Sequence, residues 1–197
     1  VFNKLLTLPA ADLDRGLVSL SAGNHAAALA YGATALGSHA TIVMPATALA
    51  AKVEATRAYR GDVVLTADNL LDVCLQIQHE RNLVLVHPFD DPMVIAGQAT
   101  VGLEILEDLP DLDAVLVPVG GGGLISGIAA AVNAERPQVR VIGVEPVGAD
   151  AMTRSLAEVS PVRLDRPDTI ADGLAAPFAG AHTLRHVQES VAATVLV

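Results

Sequence analysis

The sequence has one cysteine, no tryptophan, and far fewer basic than acidic residues, 12 against 22. A single thiol cannot form an internal disulfide, so a reducing, cytoplasmic setting is expected. That thiol, Cys74, lies in the apolar helical stretch "LLDVCLQI" and reads as a packing residue. The net charge of −10 repels phosphate backbones and argues against a nucleic-acid partner. A local pocket for a small anion stays compatible with it. No apolar run approaches the ~20 residues of a membrane span. The first residues lack a basic segment followed by an apolar one, so they show no signal peptide. Lysine occurs only at Lys4 and Lys52, both expected at the surface.

The 197 residues are 52% hydrophobic and 17% charged, which predicts a sizeable core and excludes disorder. Short β-branched runs alternate with longer segments rich in Ala, Leu, Glu and Gln. The runs are "GLVSL", "ATIVMP", "DVVLT", "NLVLVHP", "AVLVPVG" and "VRVIGVEP". Helices are predicted over residues 24–36, 48–60, 68–81, 93–107 and 123–135. This alternation implies βαβ units and parallel sheet. The strands are apolar throughout, as parallel strands covered on both faces should be. The stretch "SPVRLDRPDTIADGLAAPFAG" has no period and reads as a long, functional loop. The chain opens on a helix-like segment already under way, "VFNKLLTLP", and closes on a strand, "AATVLV". Both ends look cut, so an internal fragment of a longer protein is expected.

Two strand-to-helix corners carry the chemistry. In "VPVGGGGLISGIAAAV" a buried strand runs into Gly120, Gly121, Gly122 and Gly123, and a helix follows. Consecutive glycines let backbone N–H groups turn inward, and the helix start adds a positive dipole end. That combination suits a phosphate. It matches neither the dinucleotide G-x-G-x-x-G nor the P-loop, since no Gly-Lys-Ser/Thr follows. A monophosphate cofactor fits; a tight structural turn is the plain alternative. In "SLSAGNHAAALA" the corner holds Ser21, Ala22, Gly23, Asn24 and His25. Asn24 is expected to cap the helix, and the amides around Gly23 suit a carboxylate. A plain cap and a structural histidine explain this corner equally well. An amino acid joined to pyridoxal phosphate has both anions.

The motifs "SAGNHAAALA", "ATIVMP", "HPFDDPMVIAGQATVGLEI", "VPVGGGGLISGIA", "GVEP" and "TIADGLA" resemble, in order and spacing, the threonine/serine ammonia-lyases. These threonine dehydratases are fold-type-II pyridoxal-phosphate enzymes, a group that includes serine racemase. The resemblance runs over essentially the whole chain. It implies an α/β, tryptophan synthase beta-like fold of two parallel-sheet αβα domains, here truncated at both ends. Residues 1–15 would be a remnant of the large domain and 16–85 a small domain with the substrate loop. Residues 86–197 would be the incomplete large domain holding the cofactor phosphate. By the same resemblance, Gly120, Gly121, Gly122, Gly123 and Leu124 bind the phosphate. Asn24 reaches the cofactor 3′-oxygen, and Ser21, Ala22, Gly23, Asn24 and His25 hold the substrate carboxylate. "TIADG", residues 169–173, lines the pocket.

Four departures shape the expected function. Racemases of the group carry a serine where this chain has Ala22, and tend to have Asn where it has Phe89; both changes look like the dehydratase pattern. Some relatives bind a divalent cation through a glutamate, a carbonyl and an acid. Glu145 and Ala149 match the first two, but the third position is Ala151, which puts a cation in doubt. The Schiff-base lysine of the family, in an S-F-K-x-R-G-A motif, is absent, and neither Lys4 nor Lys52 matches it. The resemblance therefore implies an enzyme that eliminates the β-hydroxyl of L-threonine or L-serine to a 2-oxo acid and ammonia. These residues alone would then lack catalysis. A small-molecule hydroxy amino acid is the expected partner, with no nucleic acid or membrane, in a homo-oligomeric parent. The alternatives are a 3-hydroxyaspartate dehydratase, a serine racemase, or an inactive chain that binds pyridoxal phosphate or phosphate.

Overall fold

The computed structural model describes residues 1–197, which divide into two compact units, Val1–Pro88 and Phe89–Val197. The first begins with two short helices, α1 (Phe2–Leu5) and α2 (Ala10–Arg15). Then strands and helices alternate: β1 (Leu17–Leu20), α3 (Asn24–Ala35), β2 (Ala40–Pro45), α4 (Ala50–Ala58), β3 (Asp62–Thr66), α5 (Leu70–Arg81) and β4 (Val84–Leu85). All pairings are parallel, in the order β3-β2-β1-β4. The order reverses between β1 and β4. Open α/β sheets bind ligands beyond the carboxyl ends of their strands at such a reversal.

Both faces of β1 and β2 are covered. Val18 and Val43 pack with Cys74 and Ile77 of α5. Leu17, Ile42 and Met44, on the alternate positions, are equally buried, and α3 contacts both strands. Each such side chain is worth about 1.5–3 kcal/mol of burial. The expected strand in "NLVLVHP" shrinks to two residues. Asn82 is spent as the left-handed end of α5 (φ 53°), and Pro88 has no N–H to donate.

The second unit holds α6 (Pro92–Asp108), β5 (Ala114–Pro118), α7 (Gly123–Glu135), β6 (Arg140–Glu145), α8 (Ala151–Glu158), α9 (Ala181–Ser190) and β7 (Ala193–Leu196). Its three strands are parallel in the order β5-β6-β7. Asp91 caps α6 by accepting from the Met93 and Val94 amides, with Pro92 at the first helical position. Here burial departs from the sequence expectation. One face, with Val117, Val119 and Val141, packs on Ile125, Val132 and Leu184. On the other, Leu116 and Val195 are 65% and 42% exposed, beside partly exposed Ile142 and Val144. The apolar runs reflect β-branched composition on both faces, whereas the helices described here bury only one. No helix of the chain is long and apolar enough to cross a membrane.

Candidate functional site

The first corner lies at the carboxyl end of β1, at the sheet's reversal. Ser19 is fully buried, and its hydroxyl donates to the Val86 carbonyl at 2.6 Å, tying β1 to the chain beyond β4. His25 Nε2 lies 3.1 Å from Ser19 Oγ and 3.3 Å from the Val86 oxygen. The histidine thus fastens the first turn of α3 to the strand ends. The Ser21 hydroxyl accepts from the Gly23 amide at 3.2 Å and folds the loop on itself. Asn24 does not cap α3. Gly23 takes the cap position, without a side-chain bond, and Asn24 is the first helical residue. One step inside the helix, its side chain cannot fold back on the amides ahead. It is exposed, and its carboxamide makes no hydrogen bond. The Ala22, Asn24 and Ala26 amides donate to no protein acceptor.

The second corner follows β5. No N–H from residue 120 to residue 125 donates to a protein acceptor, and Ser126 is the first to bond back, to the Gly122 carbonyl. The loop is shaped by its surroundings. Gly122 has φ +93°, which side-chain-bearing residues rarely adopt, and leads directly into α7. A Cβ on Gly121 would sit 2.4 Å from the Phe89 ring. Thr183 donates from Oγ1 to the Gly121 carbonyl at 2.7 Å. The "TIADG" segment ends in a 3-10 turn, Asp172–Leu174, and Leu174 backbone atoms lie 3.2 Å from where a Cβ on Gly120 would be.

At four other helix starts side chains satisfy the amides. Asn69 caps α5 and Asp91 caps α6. Asp90 takes the Ala181, His182 and Thr183 amides of α9 at 3.0, 2.8 and 3.2 Å. Glu145 takes the Met152 and Thr153 amides of α8 at 2.7 and 2.9 Å. Among helices of eight or more residues, only α3, α4 and α7 begin without such an acceptor. Two of the three are the corners singled out by sequence. Free amides at a helix start, lined by glycine, hold an anion with backbone alone.

The residues do not fit a divalent cation at Glu145 and Ala149. Both carboxylate oxygens of Glu145 are used on α8, and the group is fully buried. Burial pushes its carboxyl above the ordinary range, against the bonds from Thr153 and Met152. Ala149 is buried in a 3-10 turn, and no three His, Cys, Asp or Glu side chains cluster anywhere. Lys4 and Lys52, expected at the surface, are half-buried. A groove of about 490 Å³ along α6 and α7 is lined by Ile95, Ala99, Leu103 and Ala131. It touches neither corner and has few of the convergent polar groups that orient a substrate.

Asp90 and Thr183 were invisible to sequence reasoning as parts of the second corner. "PFDDP" signals a turn but not which helix its first aspartate caps, and a threonine 62 residues from Gly121 gives no local cue.

The pattern of the family described as "Pyridoxal-phosphate dependent enzyme" matches residues 3–197. The chain is 43% identical over 198 residues to the L-threonine ammonia-lyase of Geobacter sulfurreducens, spanning 99% of this chain and 49% of that protein. It is 44% identical to the chloroplastic biosynthetic threonine dehydratase 2 of Solanum lycopersicum, spanning 100% of this chain and 33% of that one. The processed form of threonine deaminase isoform 2 from Solanum lycopersicum superimposes with a TM-score of 0.92 at 43% identity, covering all of this chain and 58% of the other. Maize serine racemase gives 0.92 at 39% identity, covering 100% and 60%. The chain spans about half the length of the curated bacterial ammonia-lyases it matches. A match over nearly every residue, on a parallel α/β frame, makes this chain a member of the pyridoxal-phosphate dependent enzyme family.

Proposed function

We propose that these residues form the substrate- and cofactor-holding part of an ammonia-lyase that removes the β-hydroxyl of L-threonine or L-serine, giving a 2-oxo acid and ammonia. The observation that carries this is the run of unpartnered amides from residue 120 to residue 125, in a loop where a Cβ would strike Phe89. Such a cradle fits the phosphate of pyridoxal phosphate. When bound, that cofactor supplies an electron sink for the pair left at Cα after deprotonation.

The chain's own residues supply binding and orientation. Gly120, Gly121, Gly122, Gly123 and Leu124 receive the phosphate through N–H groups at the start of α7. The free amides of Ala22 and Asn24, with Ser21 and Gly23, receive the substrate carboxylate at the start of α3. The unengaged carboxamide of Asn24 is assigned to the cofactor ring oxygen. His25 holds the loop through Ser19 and Val86. Residues 16–85 would be the substrate domain and residues 86–197 the cofactor domain, a boundary close to the division after Pro88. The lysine that carries the cofactor in this family has no match here, so turnover belongs to a polypeptide that includes one.

Ala22 favours the lyase over the racemase. A methyl group donates no proton to Cα, whereas a serine there would. Product analysis on the polypeptide carrying this sequence tests the proposal. It should give 2-oxobutanoate from L-threonine and pyruvate from L-serine; D-serine as the main product would overturn it. With the 197 residues alone, borohydride reduction in the presence of pyridoxal phosphate should leave Lys4 and Lys52 unlabelled. A specific adduct on either, with turnover, would overturn the placing of the lysine elsewhere.

A further inference from the structure

The glycine loop has no side chain with which to aim its own amides. Its peptide planes must be set from outside. Thr183, in the first turn of α9, is fully buried and approaches the loop from within the protein. Its Oγ1 lies 2.7 Å from the Gly121 carbonyl and 3.1 Å from the Gly180 carbonyl. A hydroxyl has one proton to give, and the shorter contact takes it. Its own carbonyl accepts from the Ser126 hydroxyl on α7 at 3.3 Å. The two helices are therefore cross-linked on either side of the loop.

A trans peptide is planar, with its C=O and the following N–H pointing in opposite directions. Drawing the Gly121 carbonyl toward Thr183 turns the Gly122 N–H the other way, away from α9. Gly122, with φ +93°, then passes the chain into α7. Neither residue has a Cβ, so the bond from Thr183 is the hydrogen bond that sets the rotation of the Gly121–Gly122 plane. Asp90 holds Thr183 in place by accepting from its amide and those of Ala181 and His182.

We propose that Thr183 is a positioning residue for the anion cradle: its hydroxyl, through the Gly121 carbonyl, fixes the direction of the Gly122 N–H toward a bound phosphate. This rests on reading the glycine loop as a phosphate cradle. It adds a residue that touches no ligand yet sets affinity for the phosphate group. Asp90 is the support behind it and acts mainly on stability.

The test compares the unsubstituted chain with T183V, T183S and D90N. Pyridoxal phosphate affinity is measured by absorbance titration, inorganic phosphate is titrated against amide resonances, and thermal midpoints are recorded. T183V keeps shape but loses the donor, and should weaken pyridoxal phosphate about tenfold, the scale of one charge-assisted hydrogen bond lost. T183S keeps the donor and should stay within about threefold of the parent. The sharpest readout is the Gly122 amide. Its shift on adding inorganic phosphate should be large in the parent and T183S, and small in T183V, while Gly123 and Leu124 still respond. D90N should lower the midpoint more than it lowers affinity. If the unsubstituted chain binds neither ligand, the cradle reading falls and this inference with it. If it binds both and T183V matches it in affinity and in the Gly122 shift, this inference alone is overturned. A T183V that is unfolded while T183S is folded but weak in binding would also overturn it, since the donor would then be insufficient.

Discussion

The two strand-to-helix corners offer the same thing, unpartnered backbone N–H groups at a helix start, and are built in opposite ways. The corner before α3 makes its shape from its own side chains. Ser21 folds onto Gly23, and His25 grips Ser19 and the Val86 carbonyl. The corner before α7 has no side chains and is moulded by others. Phe89 lies against Gly121, Thr183 holds the Gly121 carbonyl, and Met152 closes on Gly122. A loop stripped of side chains brings backbone closest to a ligand, and loses the means to define itself. Its definition moves to residues far away in sequence.

The difference predicts where each corner breaks. At the second, the worst change is inside the loop. G122V places a branched side chain at φ +93° and its Cβ 2.5 Å from the Met152 methyl. Backbone strain of about 1–2 kcal/mol and overpacking of about 1–3 kcal/mol should sum to roughly 3 kcal/mol. For a chain of this size the thermal midpoint should fall by about 6–12 °C, measured by circular dichroism. A smaller loss would mean the loop is more pliant than its packing implies.

At the first corner the worst change is beneath the loop. S19A removes the buried hydroxyl that bridges β1 to Val86 and meets His25. Leaving those partners short should cost about 1–2 kcal/mol in denaturant unfolding. The added effect of a second substitution at His25 should be less than additive, because both act through one network. Additivity would show that His25 and Ser19 are independent, and that the corner is not self-built.

How much of this was legible depended on distance along the chain. The glycine run and the "SAGNH" corner were visible because their signal is local, a strand end followed by small residues and a helix. The parallel α/β frame was visible for the same reason, through the periods of its segments. The cap assignment to Asn24 failed by one residue, because which residue starts a helix is decided by backbone angles that composition does not set. The half-bare second sheet was missed because β-branched residues read as buried whether or not a helix covers them. Asp90 and Thr183 were missed because each acts across dozens of residues of sequence. Glu145 was read through a family position, and its actual partners are the amides of α8.

Cys74 separates core chemistry from corner chemistry at high pH. Burial pushes its thiol up to about 11, from 9.0 unperturbed. The unfolded chain then ionises first. Its contribution to stability is intact below pH 9.0 and is lost as pH rises toward about 11. C74A should flatten that part of the stability–pH curve by roughly 1–2 kcal/mol, net of the cavity it introduces. Neither corner contains a thiol, so substitutions there should leave this slope unchanged.

The smallest effect on stability carries the sharpest information. Asn24 is exposed and its carboxamide makes no hydrogen bond, so N24A removes no folded-state contact of that group. Alanine is also the better helix former, by a few tenths of a kcal/mol at an exposed position. The thermal midpoint should therefore hold or rise slightly. If Asn24 contacts the cofactor ring, the same change should weaken pyridoxal phosphate by about five- to tenfold, one hydrogen bond's worth. It should leave affinity for inorganic phosphate, which has no ring, untouched. T183V has the reverse signature, weakening both ligands through the Gly122 amide. Were N24A and T183V to shift the two ligands in parallel, Asn24 would have no contact peculiar to the cofactor ring, and the contrast between a loop that holds itself and a loop held by its neighbours would have no counterpart in binding.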